Sequence, residues 1–280
     1  MRDVPASLYK YAPPERAASV LDDLLIRFSQ VSVMNDKEEF KPPISEMADG
    51  LMLQQKVLER AAETHPGFMD FMEKKGPEHS AALYAKVGSR ENLARTIKTI
   101  YEMNDKNFGI LSLSELATSV CMCDKYTEHG RFLLEFNSSH PWFDQRIADN
   151  DDLRHLWRMS YVADRTQAFL LAMTAQDYLY TKETKWEYEK EWRIMLNFNS
   201  AARKAGKDAT GTDVLLFAIP PDCLLSVTVG YNASAEFVEQ VRSLLAANPC
   251  LSHLRLKAAR QWGGGSVEIE GLDETRMPSR

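Results

Sequence analysis

Short apolar runs alternate with amphipathic stretches along the chain, and together they predict a mixed α+β fold. Residues 8–11 and 24–28 are aromatic and aliphatic runs of strand length, with a helix predicted between them over residues 15–23. Strands and helices do not alternate regularly afterwards, which favours α+β over a parallel α/β sheet. Further strands are predicted at residues 109–113, 131–136, 192–198, 214–219, 224–229 and 253–256.

A long helical segment interrupts the strands early in the chain, over residues 41–104. Met47, Leu51 and Leu58 share a stripe at spacings of four and seven residues, and Ser45 is the predicted N-cap of that helix. We therefore predict a helical insertion there. Two more helices are predicted, over residues 152–180 and 234–246.

The C-terminal residues differ in composition from the rest of the chain. Gly263-Gly264-Gly265 is followed by a polar stretch, which predicts a flexible tail over residues 261–280. The remaining residues, 1–260, are expected to form one domain.

Charge and hydropathy then narrow the classes of function. The chain of 280 residues has 34 Lys and Arg against 40 Asp and Glu, a net charge of −6, which argues against a protein that coats nucleic acid through a broad basic face. No apolar run approaches the roughly 20 residues that span a bilayer, and no N-terminal signal segment is recognisable. We expect a cytoplasmic protein without a membrane partner.

Common nucleotide and metal motifs are absent from the sequence. There is no GxGxxG, GxxxxGK[ST], HExxH or GxSxG segment. Cys121 and Cys123 are closer together than the paired cysteines of an ordinary zinc ribbon, so free thiols and no bound metal are expected.

The densest group of charged residues lies over residues 185–194, KWEYEKEWRI. If a strand begins near Glu189, then Glu189, Glu191 and Arg193 share one face and Trp192 lies on the other. A carboxylate fixed on such a strand can orient a hydroxyl group or stabilise a developing cation. The alternative is a solvated strand face whose charges form salt bridges with one another.

Seven segments in the same order resemble the bacterial domain-of-unknown-function family 2971. The most specific is WEYEKEWRI at residues 186–194, and the resemblance extends over about residues 8–257. Cys123 and Lys125 depart from the family pattern, which has tryptophan and histidine there. The other six segments are LYKY at 8–11, LIRFS at 25–29, MND at 34–36, GILSLSE at 109–115, MCDKYTEHGRF at 122–132 and VTVG at 227–230, which a helix follows.

The layout of that family is in turn similar to an ADP-ribosyltransferase, a split β-sandwich of two small sheets that holds NAD between them. The resemblance implies one such domain over residues 1–260, with the helical insertion at 41–104. By position it implies Glu191 as the catalytic glutamate, Glu189 as an assisting glutamate and Tyr126 as the central aromatic residue. The first-strand position of the NAD site falls on Lys10, or on Tyr9 beside it, and Asn35, Ser112 and Ser114 are further candidates to bind NAD.

These residue types suit the chemistry that the resemblance implies. Cleavage of the nicotinamide–ribose bond of NAD, the co-substrate, develops positive charge on the ribose, which a fixed carboxylate stabilises. An aromatic ring can stack on nicotinamide, and a cation can hold pyrophosphate oxygens. The expected enzyme is a bacterial toxin, effector or phage-defence transferase that modifies nucleic acid or protein, with an antitoxin or chaperone as a possible partner.

Two other functions remain open at this point. The departures at Cys123 and Lys125 suit a catalytically inactive module of the same fold that binds NAD or a partner. The carboxylates also suit a metal-dependent nuclease. That nuclease would use Glu187, Glu189, Lys190 and Glu191 together with Asp36 or Asp124.

Overall fold

The computed structural model has an α+β fold, as the sequence predicts. It describes residues 4–36, 39–41, 43–65, 67–126, 132–165, 168–262 and 266–272. The strands are β1 (Ser7–Tyr11), β2 (Leu25–Phe28), β3 (Ile44–Glu46), β4 (Phe108–Ser114), β5 (Phe132–Asn137), β6 (Trp157–Arg158), β7 (Ser160–Val162), β8 (Ala168–Phe169), β9 (Thr181–Glu183), β10 (Glu191–Asn197), β11 (Arg203–Lys207), β12 (Asp213–Ala218), β13 (Leu224–Val229), β14 (Arg255–Trp262) and β15 (Ser266–Gly271). The α-helices are α1 (Ala17–Leu21), α2 (Gly50–Thr64), α3 (Phe68–Lys75), α4 (Pro77–Val87), α5 (Arg90–Asn107), α6 (Val120–Tyr126), α7 (Ala175–Leu179) and α8 (Ala235–Ala247).

An eight-stranded sheet and a three-stranded sheet enclose the main core. The large sheet has the strand order β15-β14-β13-β5-β1-β4-β10-β6, and the small one has the order β11-β12-β2. Alternation along β10 sends Trp192 and Ile194 into this core, while Glu191 and Arg193 lie on the opposite face. Fully burying each such large apolar side chain stabilises the fold by about 1.5–3 kcal/mol.

The large sheet is interrupted between β1 and β4. These strands form one cross-strand pair, Tyr9 opposite Ser114, whereas β1 forms five pairs with β5 and β4 forms seven with β10. Beyond that pair, Lys10 Nζ donates a hydrogen bond to the Ser112 carbonyl oxygen at 3.0 Å. A side chain thus links the two strands where the backbone ladder stops, and this leaves room between them.

Helices α2 to α5 form what we call the helical layer, which corresponds to the predicted insertion. Asp49, and not Ser45, caps α2, because its carboxylate accepts from the Met52 amide at 2.9 Å. Ser45 lies in β3, so the predicted cap is wrong. Helix α5 leads directly into β4.

Two predictions of secondary structure are wrong. Residues 152–180 do not form a long helix; they contain β6, β7, β8 and the short helix α7. Pairing with distant segments overrides the apolar periodicity there, since β7 pairs in parallel with β9. Residues 266–271 form β15 along β14 instead of a flexible tail, while Gly263–Gly265 and residues 273–280 lie outside the described residues.

Among the described residues, none of the helices combines the length and the apolar character that crossing a membrane requires.

Candidate functional site

A cavity of about 360 Å³ opens where β1 and β4 separate. All eight residues that the sequence indicates for the site line this cavity. They are Tyr9, Lys10, Asn35, Ser112, Ser114, Tyr126, Glu189 and Glu191. Because they come from separate parts of the chain, the tertiary fold alone brings them together.

Each of these side chains is placed by a different local structure. Strand β1 contributes Tyr9 and Lys10, β4 contributes the two serines, helix α6 ends at Tyr126, and Asn35 follows β2. Glu191 is the first residue of β10. Glu189 is the last residue of a 3-10 helix over Thr184–Glu189, not part of the strand as predicted, because Lys190 between them has a left-handed φ of 43°.

A buried group of five charged side chains forms the floor of the site, and we call it the charge cluster. It consists of Glu39, Lys182, Glu189, Glu191 and Arg193. Lys182 Nζ lies 2.7 Å from both Glu189 Oε2 and Glu191 Oε2. Glu189, Glu191 and Arg193 are 3%, 4% and 0% exposed, so the alternative of a solvated strand face is wrong.

Arginine completes the charge cluster. Arg193 Nε contacts Glu191 Oε1 at 2.7 Å and Arg193 Nη2 contacts Glu191 Oε2 at 3.1 Å, a two-point ion pair. Arg193 also pairs with Glu39, whose other carboxylate oxygen lies 3.6 Å from Lys182 Nζ. Both oxygens of Glu191 are therefore held by cations.

Burial and ion pairing act in opposite directions on these groups. Burial disfavours the charged form of Glu191, but Arg193 and Lys182 outweigh it and hold the pKa of Glu191 well below its ordinary value. Burial prevails at Glu39, whose pKa is raised despite the same two cations. The pKa of Lys182 is raised because Glu191 and the other carboxylates outweigh its burial.

A short chain of hydrogen bonds connects the charge cluster to the cavity wall. Tyr126 donates its hydroxyl proton to Glu189 Oε1 and accepts from the Asn35 amide. Burial, together with the Glu189 carboxylate, raises the pKa of Tyr126, so its hydroxyl remains protonated. Ser114 Oγ donates to the Glu189 carbonyl oxygen at 2.6 Å and anchors the backbone of that residue.

Lys10 lies in the opposite wall of the cavity. Burial lowers the pKa of its ammonium to about 8, with Glu191 opposing that shift and Arg193 adding to it. Beside it, the hydroxyl oxygen of Ser112 is buried and has no hydrogen-bond partner among the described residues. Lys10 and Ser112 are thus two donors able to meet a polar ligand.

Sequence analysis missed two residues of the charge cluster. Lys182 lies in the short strand β9, and Glu39 precedes the helical layer, and neither belongs to a recognisable local motif. Glu191 and Arg193 share a strand face, as predicted, and they form an ion pair there. Residues 127–131, within one of the segments that carry the resemblance, lie outside the described residues.

The nuclease arrangement is not assembled by the residues that the structure describes. The Lys182 ammonium occupies the position between Glu189 and Glu191 that a bridging metal ion would need. Glu187 and Lys190 pair with each other at the surface at 2.9 Å. No group of three His, Cys, Asp or Glu residues in the described part of the chain is placed to hold a metal ion.

We compared the chain with protein-family models, with curated proteins and with solved structures, and none of the three comparisons returned a match.

Proposed function

We propose that this protein is an NAD-dependent ADP-ribosyltransferase. The observation that supports the proposal is the convergence of eight residues, chosen from separate sequence segments, on one cavity of about 360 Å³. Two buried carboxylates lie at its floor, and tyrosine rings and lysines lie on its walls. The interruption of the large sheet between β1 and β4 gives the cavity a position between two groups of strands, as an ADP-ribosyltransferase fold requires.

In this proposal the two glutamates have different tasks. Both oxygens of Glu191 are fixed by Arg193 and Lys182, so Glu191 supplies a rigid negative charge near the ribose. Glu189 is held by one cation, Lys182, through Oε2, while its Oε1 accepts from the Tyr126 hydroxyl at the cavity wall, where ligand hydroxyls would meet it. Of the two, Glu189 is therefore the better placed for proton transfer.

The reaction would proceed by cleavage of the bond between the ribose C1′ and the nicotinamide nitrogen. Nicotinamide leaves with the bonding electron pair, and the carboxylates stabilise the positive charge left on the ribose. A nucleophilic oxygen or nitrogen of the acceptor then bonds to C1′, and its proton passes to Glu189. Tyr9 and Tyr126 offer rings for stacking, and Lys10 and Lys125 offer cations for the pyrophosphate.

The test is transfer of label from NAD to a cell lysate, with nicotinamide release measured in parallel. We expect Glu189→Gln and Glu191→Gln to lower both rates by roughly 10²–10³-fold, the usual cost of removing a preorganised charge-stabilising group. Glu187→Gln is the matched control, since Glu187 lies on the same 3-10 helix, is exposed and pairs with Lys190. The proposal fails if the control and the two variants keep equal activity.

Both oxygens of Glu191 already accept hydrogen bonds from Arg193 and Lys182, which leaves less capacity to contact a ligand. This favours a second candidate function, an inactive module that binds NAD. Such a module would show an NAD-dependent rise in melting temperature without nicotinamide release. At 100 times its Kd, a ligand adds about 2.7 kcal/mol to the free energy of unfolding. Nicotinamide release by the wild type would exclude the inactive module, and the absence of any shift at millimolar NAD would count against both candidates.

A further inference from the structure

Lys10 differs from the two other lysines that line the cavity. Lys182 is held by three carboxylates, and Lys125 Nζ donates to the Tyr188 hydroxyl at 2.7 Å. Lys10 Nζ donates to one backbone carbonyl, that of Ser112, and forms no salt bridge to a described residue. The Lys10 amine therefore lines the cavity without a described carboxylate in ion-pair contact.

The surroundings of Lys10 contain charges of both signs. Glu189 and Glu191 favour its protonated form, whereas Arg193 and Arg27 disfavour it. Burial outweighs the two carboxylates, and the pKa falls to about 8. Other charged or titratable groups that line the same cavity are Tyr9, Tyr11, Lys125, Tyr126 and Lys182.

We propose that Lys10 is a nucleophilic amine that binds a small aldehyde or ketone in this cavity as an imine. Burial without an ion-pair partner and close to other cations is an arrangement that activates lysine nucleophiles in enzymes. This site is an addition to the proposed function, and its test contains no NAD.

The chemical step balances without an oxidant or a further reactant. The lone pair of the neutral Nζ forms a bond to the carbonyl carbon, and the carbon–oxygen π electrons move to the oxygen. The resulting carbinolamine loses that oxygen as water, which carries away both protons of the amine. The product is a carbon–nitrogen double bond between Lys10 and the ligand.

The cavity also indicates which carbonyl compounds fit. Its volume of about 360 Å³ is at the lower end of the range of about 300–1,000 Å³ for small-molecule sites. Tyr9, Tyr11 and Ile110 line it, so a planar aromatic ring has apolar surfaces to contact. The unpartnered hydroxyl of Ser112 can donate to a polar substituent. A small aromatic aldehyde is thus the favoured class.

Pyridoxal 5′-phosphate followed by borohydride tests the proposal on the folded wild-type chain. Borohydride reduces the imine to a stable secondary amine, and peptide mapping by mass spectrometry gives the labelling rate of each lysine. A pKa of about 8 leaves a much larger neutral fraction of Lys10 at pH 7.5 than an ordinary lysine has. We expect Lys10 to be labelled at least tenfold faster than Lys98, which is 75% exposed.

The pH profile and one variant complete the test. The ratio of Lys10 to Lys98 labelling should be largest near neutral pH and should fall at alkaline pH, where ordinary lysines also become neutral. Lys10→Arg keeps the positive charge and should remove the fast-labelled site. Equal rates at Lys10 and Lys98 in the wild type, or a fast-labelled site that persists in Lys10→Arg, would overturn the proposal.

Discussion

At the scale of single residues, Glu39 is the member of the charge cluster with the least favourable surroundings. The charge cluster contains three carboxylates and two cations. Burial raises the pKa of Glu39, whereas the pKa of Glu191 is lowered by the same two cations. The folded chain therefore binds a proton at Glu39 more tightly than the unfolded chain does. Stability from this residue is present below its ordinary pKa of 4.5 and declines as the pH rises.

Glu39→Gln should leave the free energy of unfolding at pH 7 unchanged or raise it by about 1 kcal/mol. The variant keeps two carboxylates against two cations, which balances the remaining charges. Urea denaturation at several pH values measures the effect, and the difference from the wild type should shrink towards pH 4. A loss of more than about 3 kcal/mol at pH 7 would contradict this account of Glu39.

The matched variant Lys182→Met should lower the free energy of unfolding at pH 7. It leaves three buried carboxylates with Arg193 alone, and breaking a buried ion pair from one side costs about 3–5 kcal/mol. Lys98→Met is the control, because Lys98 is an exposed partner of Glu102 in α5. The same denaturation series measures both variants.

Residue types near the site could be predicted from the sequence, but their ion pairs could not be predicted in full. Glu191 and Arg193 share a strand face, so their contact follows from the period of two along β10. Glu39 reaches the same point from a segment more than 140 positions away. Such a contact depends on the whole fold, and no local pattern indicates it.

At the scale of elements, the contact between the two sheets depends on a glycine. A Cβ at Gly109 in β4 would lie 2.6 Å from Phe28 Cβ and 2.6 Å from Phe198 Cε1. Phe28 ends β2, and its successor Ser29 exchanges two backbone hydrogen bonds with Ile110 at 2.9 Å. The glycine thus lets the sheets approach beside the cavity.

Gly109→Ala should lower the free energy of unfolding by about 1–3 kcal/mol, because the added methyl group overpacks a rigid part of the core. Gly50→Ala is the control, since nothing lies within 4 Å of its added Cβ and it starts a helix. Thermal and urea denaturation of the pair measure the difference. Equal stability of the two variants would show that Phe198 moves aside without cost.

The strands of the main sheet are predictable because their apolar runs are short and sharply bounded. The helix predicted over residues 152–180 is wrong, because their aromatic and apolar side chains suit a helix in spacing but lie in β6 to β8 and α7. The sequence of β15 does contain the alternation typical of a strand, because the apolar Val267 and Ile269 alternate with Glu268 and Glu270. The neighbouring glycines obscured it.

At the scale of the whole molecule, the helical layer has a much smaller core than the sheets. Its cluster of buried apolar residues contains Met47, Ala48, Leu53 and Leu93, and α4 contains no buried residue. The core between the sheets is far larger and includes Phe28, Leu111, Phe132, Trp192, Val227 and Val241. Local stability should differ accordingly.

Native-state hydrogen exchange should therefore show two levels of protection. Amides of α2 to α4 are expected to exchange through local opening, because little apolar surface is exposed when these helices open. The free energy of opening should be lower for them than for amides of β4, β5 and β10. The same free energy of opening in both regions would contradict this expectation. Measurement by mass spectrometry of peptides from each region is sufficient.

The bridge between Ser29 and Ile110 has a consequence for how this chain can vary. The chain departs from the bridge, forms the helical layer and returns to the same point. The entropy of closing such an excursion changes slowly with its length, by about 0.6 kcal/mol for each doubling. The connections between α2, α3 and α4, which contribute little to the main core, can therefore be lengthened or shortened at little cost, so this part of the helical layer can diversify while the cavity stays the same.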